Sequence, residues 1–199
     1  MLKKIETNLK DCYIIEPSVF GDDRGYFSPY FIQKDLDENG IKFEGVVQCN
    51  RSKSSKGVVR GLHFQKNPKC QTKLVEVIQG AAIDVVVDIR KGSPTYGKHT
   101  AVLLKPYDSS DKKSGRQLYV PRGFAHGFIS LEDNTIFQYL IDNDYAPDME
   151  GGIYWNDKSL GIDWDGMFEK YSISIPITSE KDAKHLCLAD SPVYFEYGE

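Results

Sequence analysis

Histidine is the side chain best suited to take and return a proton at neutral pH, and this chain carries four: His63, His99, His126 and His185. His63 lies in Gly57-Val58-Val59-Arg60-Gly61-Leu62-His63-Phe64-Gln65, a run suited to a barrel wall that nevertheless carries an imidazole and a guanidinium around a glycine. His126 stands between two phenylalanines in Phe124-Ala125-His126-Gly127-Phe128, and Tyr139 follows on the next apolar run with Phe137 and Ile141. Lys73 shares a strand face with Val75 and Val77, which aims an ammonium into a barrel mouth or lets it snorkel to the rim. These groups suit acid–base work. Each also fits a plain structural role, such as a hydrogen-bonded core histidine.

Other chemistries lose support. No GxSxG, GxGxxG or P-loop occurs, which argues against acyl transfer on an activated serine, nicotinamide binding and NTP hydrolysis. No two histidines stand at HxH or HxxxH spacing, so no metal site is expected. His99 beside a Gly-Lys turn and His185 in a polar tail read as ordinary surface histidines. Strict alternation poses one difficulty: it puts Gly61, His63 and Gln65 on one face and Arg60, Leu62 and Phe64 on the other. A bulge at Gly61 would bring Arg60 and His63 to one cavity, or Arg60 would act at a subunit boundary.

The elements that must hold these residues are short runs rich in Val, Ile, Tyr, Phe and Thr, cut by Gly, Pro, Asn, Asp and Ser clusters. Strands are predicted over 12–20, 25–32, 45–52, 58–65, 72–79, 81–89, 99–104, 116–120, 124–130, 135–141 and 152–155. That rhythm is all-β, a sandwich or barrel. Helix is scarce: one or two turns over 33–39 ended by Gly40, and another stretch after Asp182. Residues 106–115 have turn formers and no periodicity, and read as an exposed loop.

Length, composition and charge bound the rest. A chain of 199 residues with 40% hydrophobic content reads as a single domain over 1–199 with a sizeable core. Twenty-five basic against twenty-nine acidic residues, with the signs mixed, invite neither nucleic acid nor an anionic membrane. No apolar run approaches the roughly 20 residues of a bilayer span, and no apolar stretch follows the basic start as a signal peptide requires. Cys12, Cys49, Cys70 and Cys187 are scattered without a CxxC pair, which fits reduced thiols and the cytoplasm.

An ordered series of motifs goes further. Phe20-Gly21-Asp22-Asp23-Arg24-Gly25-Tyr26-Phe27 is followed by Val47-Gln48-Cys49-Asn50-Arg51-Ser52, Arg60-Gly61-Leu62-His63-Phe64-Gln65, Lys73-Leu74-Val75 and Asp84-Val85-Val86-Val87-Asp88-Ile89-Arg90. Then come Ser93-Pro94-Thr95-Tyr96-Gly97, Pro121-Arg122-Gly123-Phe124-Ala125-His126-Gly127-Phe128, Tyr145-Ala146-Pro147, Trp155-Asn156-Asp157 and Ser179-Glu180-Lys181-Asp182. The series resembles the dTDP-4-dehydrorhamnose 3,5-epimerases, metal-free members of the cupin jelly-roll class. The resemblance implies that fold, no cofactor, a homodimer paired through N-terminal strands, and inversion of C3 and C5 of a dTDP-linked 4-keto-6-deoxyhexose.

In that family a ketone acidifies the protons on its flanking carbons, and the enolate is reprotonated on the other face, which needs a base, an acid and an oxyanion stabiliser. The resemblance implies His63 as base, Asp182 as the carboxylate orienting it, Tyr139 as acid, and Lys73 with His126 at the C4 oxygen. It further implies Arg24 and Arg60 on the diphosphate, Gln48 and Asn50 on the substrate, Tyr145 stacked on thymine, and Glu150 and Lys181 as further contacts. The chain departs from the family at Pro29, where a glutamate is usual, and in a longer 105–115 loop. Other readings on the same fold are a single-carbon epimerase for another deoxysugar nucleotide, a non-catalytic binding module, and a metal-dependent cupin. The intact catalytic set argues against the binding module, and the absent HxH against the metal-dependent one.

Overall fold

A computed structural model describes residues 2–198. In chain order its elements are β1 (Lys3–Glu6), β2 (Tyr13–Glu16), β3 (Phe20–Asp22), β4 (Gly25–Phe27), α1 (Gln33–Glu38), β5 (Gln48–Ser54), β6 (Val59–Gln65), β7 (Lys73–Gln79) and β8 (Ala82–Asp88). There follow β9 (Arg90–Lys91), β10 (His99–Leu104), β11 (Gln117–Val120), β12 (Phe124–Ser130), β13 (Thr135–Ile141), β14 (Glu150–Gly152), α2 (Trp164–Lys170) and β15 (Phe195–Glu196).

Two antiparallel sheets dominate, one ordered β1-β2-β11-β7-β13-β5 and the other β10-β8-β12-β6-β14. From β5 to β8, and again from β10 to β14, successive strands alternate between the sheets. Strands adjacent in sequence therefore face each other across the interior, and the result is a cupin-type jelly roll. The interior is apolar: Val75, Val77 and Phe137 of one sheet pack on Val86, Val102 and Phe128 of the other.

All seven residues of β8 are buried, because a third layer covers the back of its sheet. Ile83, Val85 and Val87 pack outward with Trp155, Trp164 and Phe195, while Val86 packs inward. Such a strand, apolar on both faces, reads as a continuous run. On the back of the other sheet, Leu36 of α1 packs with Ile15, Leu74 and Leu140.

Most of the predicted strands are present, several trimmed at their ends. The expected strand over 12–20 is instead β2 plus the first arm of a separate hairpin, β3–β4, with Phe20 opposite Phe27. The expected strand at 152–155 lies earlier, as β14. Helix α1 ends as anticipated, with Asn39 as its cap and Gly40 at φ 67°. After Asp182 there is only a short 3-10 turn, Asp182–Lys184, where a helix was expected.

Four elements were not anticipated. β1, Lys-Lys-Ile-Glu, is a charged edge strand whose Ile5 pairs opposite Ile14, and β9 and β15 are two-residue contacts. α2 hides an internal glycine, yet the Asp163 side chain caps it by accepting from the Gly166 N–H at 2.9 Å. Residues 106–115 form the expected loop, held by the Gly115 N–H donating to the Lys105 carbonyl at 2.9 Å. Among the described residues no helix is long and apolar enough to cross a membrane, and all four cysteines are free.

Candidate active site

β6 carries the first half of the site, and its pairing with β12 settles the facing problem. His126 lies opposite His63 but Phe128 lies opposite Arg60, so two steps on β12 match three on β6. The extra residue is a bulge. It turns Arg60 and His63, three positions apart, toward the same cavity, which both line. The bulge depends on glycine at both contacts: a Cβ on Gly61 would stand 2.6 Å from Gly127 Cα, and one on Gly127 would stand 2.3 Å from the Arg60 carbonyl oxygen.

The cavity has a volume of about 600 Å³ and opens between the two sheets. His63 and His126 reach it from one sheet, Lys73 and Tyr139 from the other, and Lys181 and Asp182 from the tail. Phe128 and Phe137 stack face to face, ring centroids 4.2 Å apart, and give it an apolar wall.

The His63 Nε2–H donates to Asp182 Oδ1 at 2.8 Å. A carboxylate only accepts, so Nε2 carries a proton, and in the neutral imidazole the lone pair is on Nδ1. Asp182 Oδ2 also accepts from the Gly61 N–H at 3.2 Å, so the bulge glycine helps to place this carboxylate. Burial pushes the Asp182 carboxyl up, but the bonds from His63 and Gly61 outweigh it and hold the group below the ordinary carboxylate range.

A second imidazole–carboxylate pair lies deeper, with His126 Nε2 and Asp84 Oδ1 2.6 Å apart. Burial lowers the proton affinity of His126 against the pull of Asp84, and burial raises the Asp84 carboxyl against the pull of His126 and Lys73. Asp84 Oδ2 is buried with no hydrogen-bond partner among the described residues. Lys73, at the start of β7, is pulled down to about 8 by burial, against the opposing fields of Asp84 and Glu150. Its Nζ lies 6.0 Å from the centre of the Tyr139 ring. Burial raises the Tyr139 hydroxyl above its ordinary value, with Asn50, directly opposite on β5, pulling it back. The phenol is therefore protonated at neutral pH and available as a donor.

Of the other predicted residues, Arg60 and Lys181 line the cavity, whereas Gln48, Asn50, Tyr145 and Glu150 stand outside its lining. Lys181 Nζ donates to Glu150 Oε2 at 2.5 Å and the Tyr145 hydroxyl donates to the same oxygen at 3.4 Å, which links three residues from separate segments. Arg60 is braced by Ser54 Oγ at 3.2 Å, and the Gln48 amide donates to Asn50 Oδ1 at 2.5 Å. Arg24 is apart: its side chain is 90% exposed on the β3–β4 hairpin, it is paired with Asp22 at 2.5 Å, and it does not line the cavity.

Two residues escaped the reading for chemistry. Asp84 interrupts an apolar run, a pattern that by itself points to no chemistry. His185, expected on the surface, instead turns its ring edge toward His63, centroids 5.8 Å apart, because the 3-10 turn after Asp182 brings the chain back over β6. His99, by contrast, is structural, with Nδ1 2.9 Å from the Leu160 carbonyl.

Comparison with known proteins extends this picture. The family model for dTDP-4-dehydrorhamnose 3,5-epimerase matches residues 6–190. The protein of that name from Shigella flexneri is 48% identical over 179 residues, covering 89% of this chain and 91% of its own length. The crystal structure of the Elizabethkingia anophelis NUHP1 dTDP-4-dehydrorhamnose 3,5-epimerase superimposes with a TM-score of 0.84 at 44% identity, covering 96% of this chain and 98% of that one. A dTDP-6-deoxy-D-glucose-3,5-epimerase from Legionella pneumophila Philadelphia 1, in complex with dTDP-4-keto-L-rhamnose, gives 0.86 at 38% identity with both chains fully covered.

Proposed function

The chain belongs to the dTDP-4-dehydrorhamnose 3,5-epimerase family, and from that membership we propose that it inverts C3 and C5 of dTDP-4-dehydro-6-deoxyglucose to give dTDP-4-dehydrorhamnose. The observation that carries the reading is the placement of a carboxylate-oriented imidazole and a protonated phenol on opposite sheets of one cavity. Inversion needs a proton taken from one side of the sugar and returned on the other.

His63 Nδ1 takes the proton from the carbon beside the ketone, and Asp182 stabilises the imidazolium that results. The electron pair passes to the C4 oxygen. The Lys73 ammonium and His126 face that oxygen and bind the enolate more strongly than the ketone, the condition for acceleration. Tyr139 returns a proton to the opposite face and is itself reprotonated from solvent. His63 gives its proton to solvent, and a second round at the other flanking carbon completes the double inversion. No step calls for a metal or cofactor.

Outside the reacting sugar, the Arg60 guanidinium suits the diphosphate. Tyr145 is exposed for stacking on thymine beside Glu150 and Lys181, and Gln48 and Asn50 meet the substrate from β5. Arg24 completes the diphosphate site from a second subunit, since its hairpin does not line its own cavity and exposes Phe20, Tyr26 and Phe27. We therefore assign the chain as one catalytic domain in a cytoplasmic homodimer.

The test is turnover of dTDP-4-keto-6-deoxyglucose by purified protein, with the product sugar identified from its ring proton couplings. The doubly inverted sugar is expected. Inversion at one carbon alone would make the protein a single-carbon epimerase, and no conversion would overturn the substrate assignment.

A further inference from the structure

The contact between His185 and His63 has a consequence outside the proton transfer. One donor atom each from His63, Asp182 and His185 lie within 4.8 Å of one another. Two imidazoles and a carboxylate are a donor set that suits zinc and related ions, which bind them at about 2.0–2.2 Å in a tetrahedral arrangement with the fourth position open. Donors on such an ion stand roughly 3.3 Å apart, and His63 Nε2 and Asp182 Oδ1 are already 2.8 Å apart. His185 needs to close by about 1.5 Å at most.

The surroundings hold the third ligand ready. Gly152 pairs opposite His63 in the β14–β6 register, and the His185 ring lies on it so closely that a Cβ there would meet Nε2 at 2.4 Å. That Nε2 is buried and has no hydrogen-bond partner among the described residues. Asp182 is buried at 4% exposure, and the Gly61 N–H holds its other oxygen, so Oδ1 is fixed in place.

We propose that His63, Asp182 and His185 form a binding site for a divalent transition metal of the zinc type, and that its occupation switches the active site off. The ion takes the place of the proton on His63 Nε2, which passes to Nδ1 so that the imidazole stays neutral. The ion then holds His63 Nε2 and Asp182 Oδ1 while Nδ1 carries the proton, so His63 has no lone pair left to take one from the sugar. The inhibition rests on the function proposed above, whereas the binding does not.

The experiment uses tag-free protein in metal-free buffer, with Co²⁺ as a spectroscopic probe and Zn²⁺ for titration calorimetry and for inhibition of turnover. Wild type is expected to bind one ion with the visible absorption of a tetrahedral cobalt site, and to lose turnover in proportion to occupancy until a chelator restores it. His185→Phe keeps an aromatic ring against His63 but removes the donor. It is expected to fold, to retain turnover without metal, and to bind Zn²⁺ more than about tenfold more weakly, about 1.4 kcal/mol. His185→Ala serves the same purpose if the larger ring disturbs the fold. Wild type that binds neither ion, or a site surviving both substitutions unchanged and so belonging to a group such as the exposed Cys49, would overturn the proposal. Metal binding in a protein inactive on the sugar nucleotide would fault the assigned reaction and leave the site standing.

Discussion

At the scale of residues, the role proposed for Lys73 sets a pH range for the reaction. Lys73 must be an ammonium to hold the enolate, yet burial has brought it down to about 8. It is charged at neutral pH and loses its proton as pH rises through that value. kcat/KM, which reports the free enzyme, is expected to fall on the alkaline side through about pH 8. Lys73→Met should abolish that limb and lower kcat by about 10²–10³-fold, the range for loss of one oxyanion donor. A flat profile well beyond this point in the wild type would remove Lys73 from the C4 oxygen. His63, Lys73, His126 and Tyr139 were visible in the sequence because titratable groups interrupt apolar strand faces. Their roles came from a motif resemblance, because no single spacing declares a base or an acid. His185 was not visible, since its place beside His63 is made by a chain return across 122 positions of sequence separation, the difference between 185 and 63, and periodicity carries no record of it.

Elements decide whether these residues meet. Alternation alone sends Arg60 and His63 to opposite faces, and the bulge opposite His126 and Phe128 reverses that outcome. Gly61 was a legible hint. Gly127 was not, because its necessity arises on the neighbouring strand, where a methyl group would press on the Arg60 carbonyl at 2.3 Å. Gly127→Ala must therefore shift backbone. It is expected to cost about 1–3 kcal/mol as an overpacking substitution, seen as a Tm lower by several degrees, and to lower turnover by misaligning His63 and Arg60. An unchanged Tm would contradict the close packing at the bulge. Strand positions were largely legible because most strands are apolar and bounded by turn residues. β1 and α2 were missed for opposite reasons: one is a charged edge, the other a short helix interrupted by Gly166 but capped by Asp163.

For the whole molecule, alternation of successive strands between two sheets makes the two walls of one cavity, and the proposed chemistry draws on both. His63 and His126 stand on one wall, Lys73 and Tyr139 on the other. The exposed aromatic hairpin bearing Arg24 does not line its own cavity, and the proposed homodimer rests on that. Sedimentation at micromolar concentration should give twice the chain mass of 22.6 kDa, and a monomer would refute the assembly. The central claim, that His63 takes protons from both carbons flanking the ketone, is tested most directly by proton NMR of dTDP-4-keto-6-deoxyglucose in deuterated water with wild type and His63→Ala. Loss of the C3 and C5 proton signals is expected with wild type, and their persistence with a folded His63→Ala protein. Undiminished exchange at either carbon in that variant would contradict it.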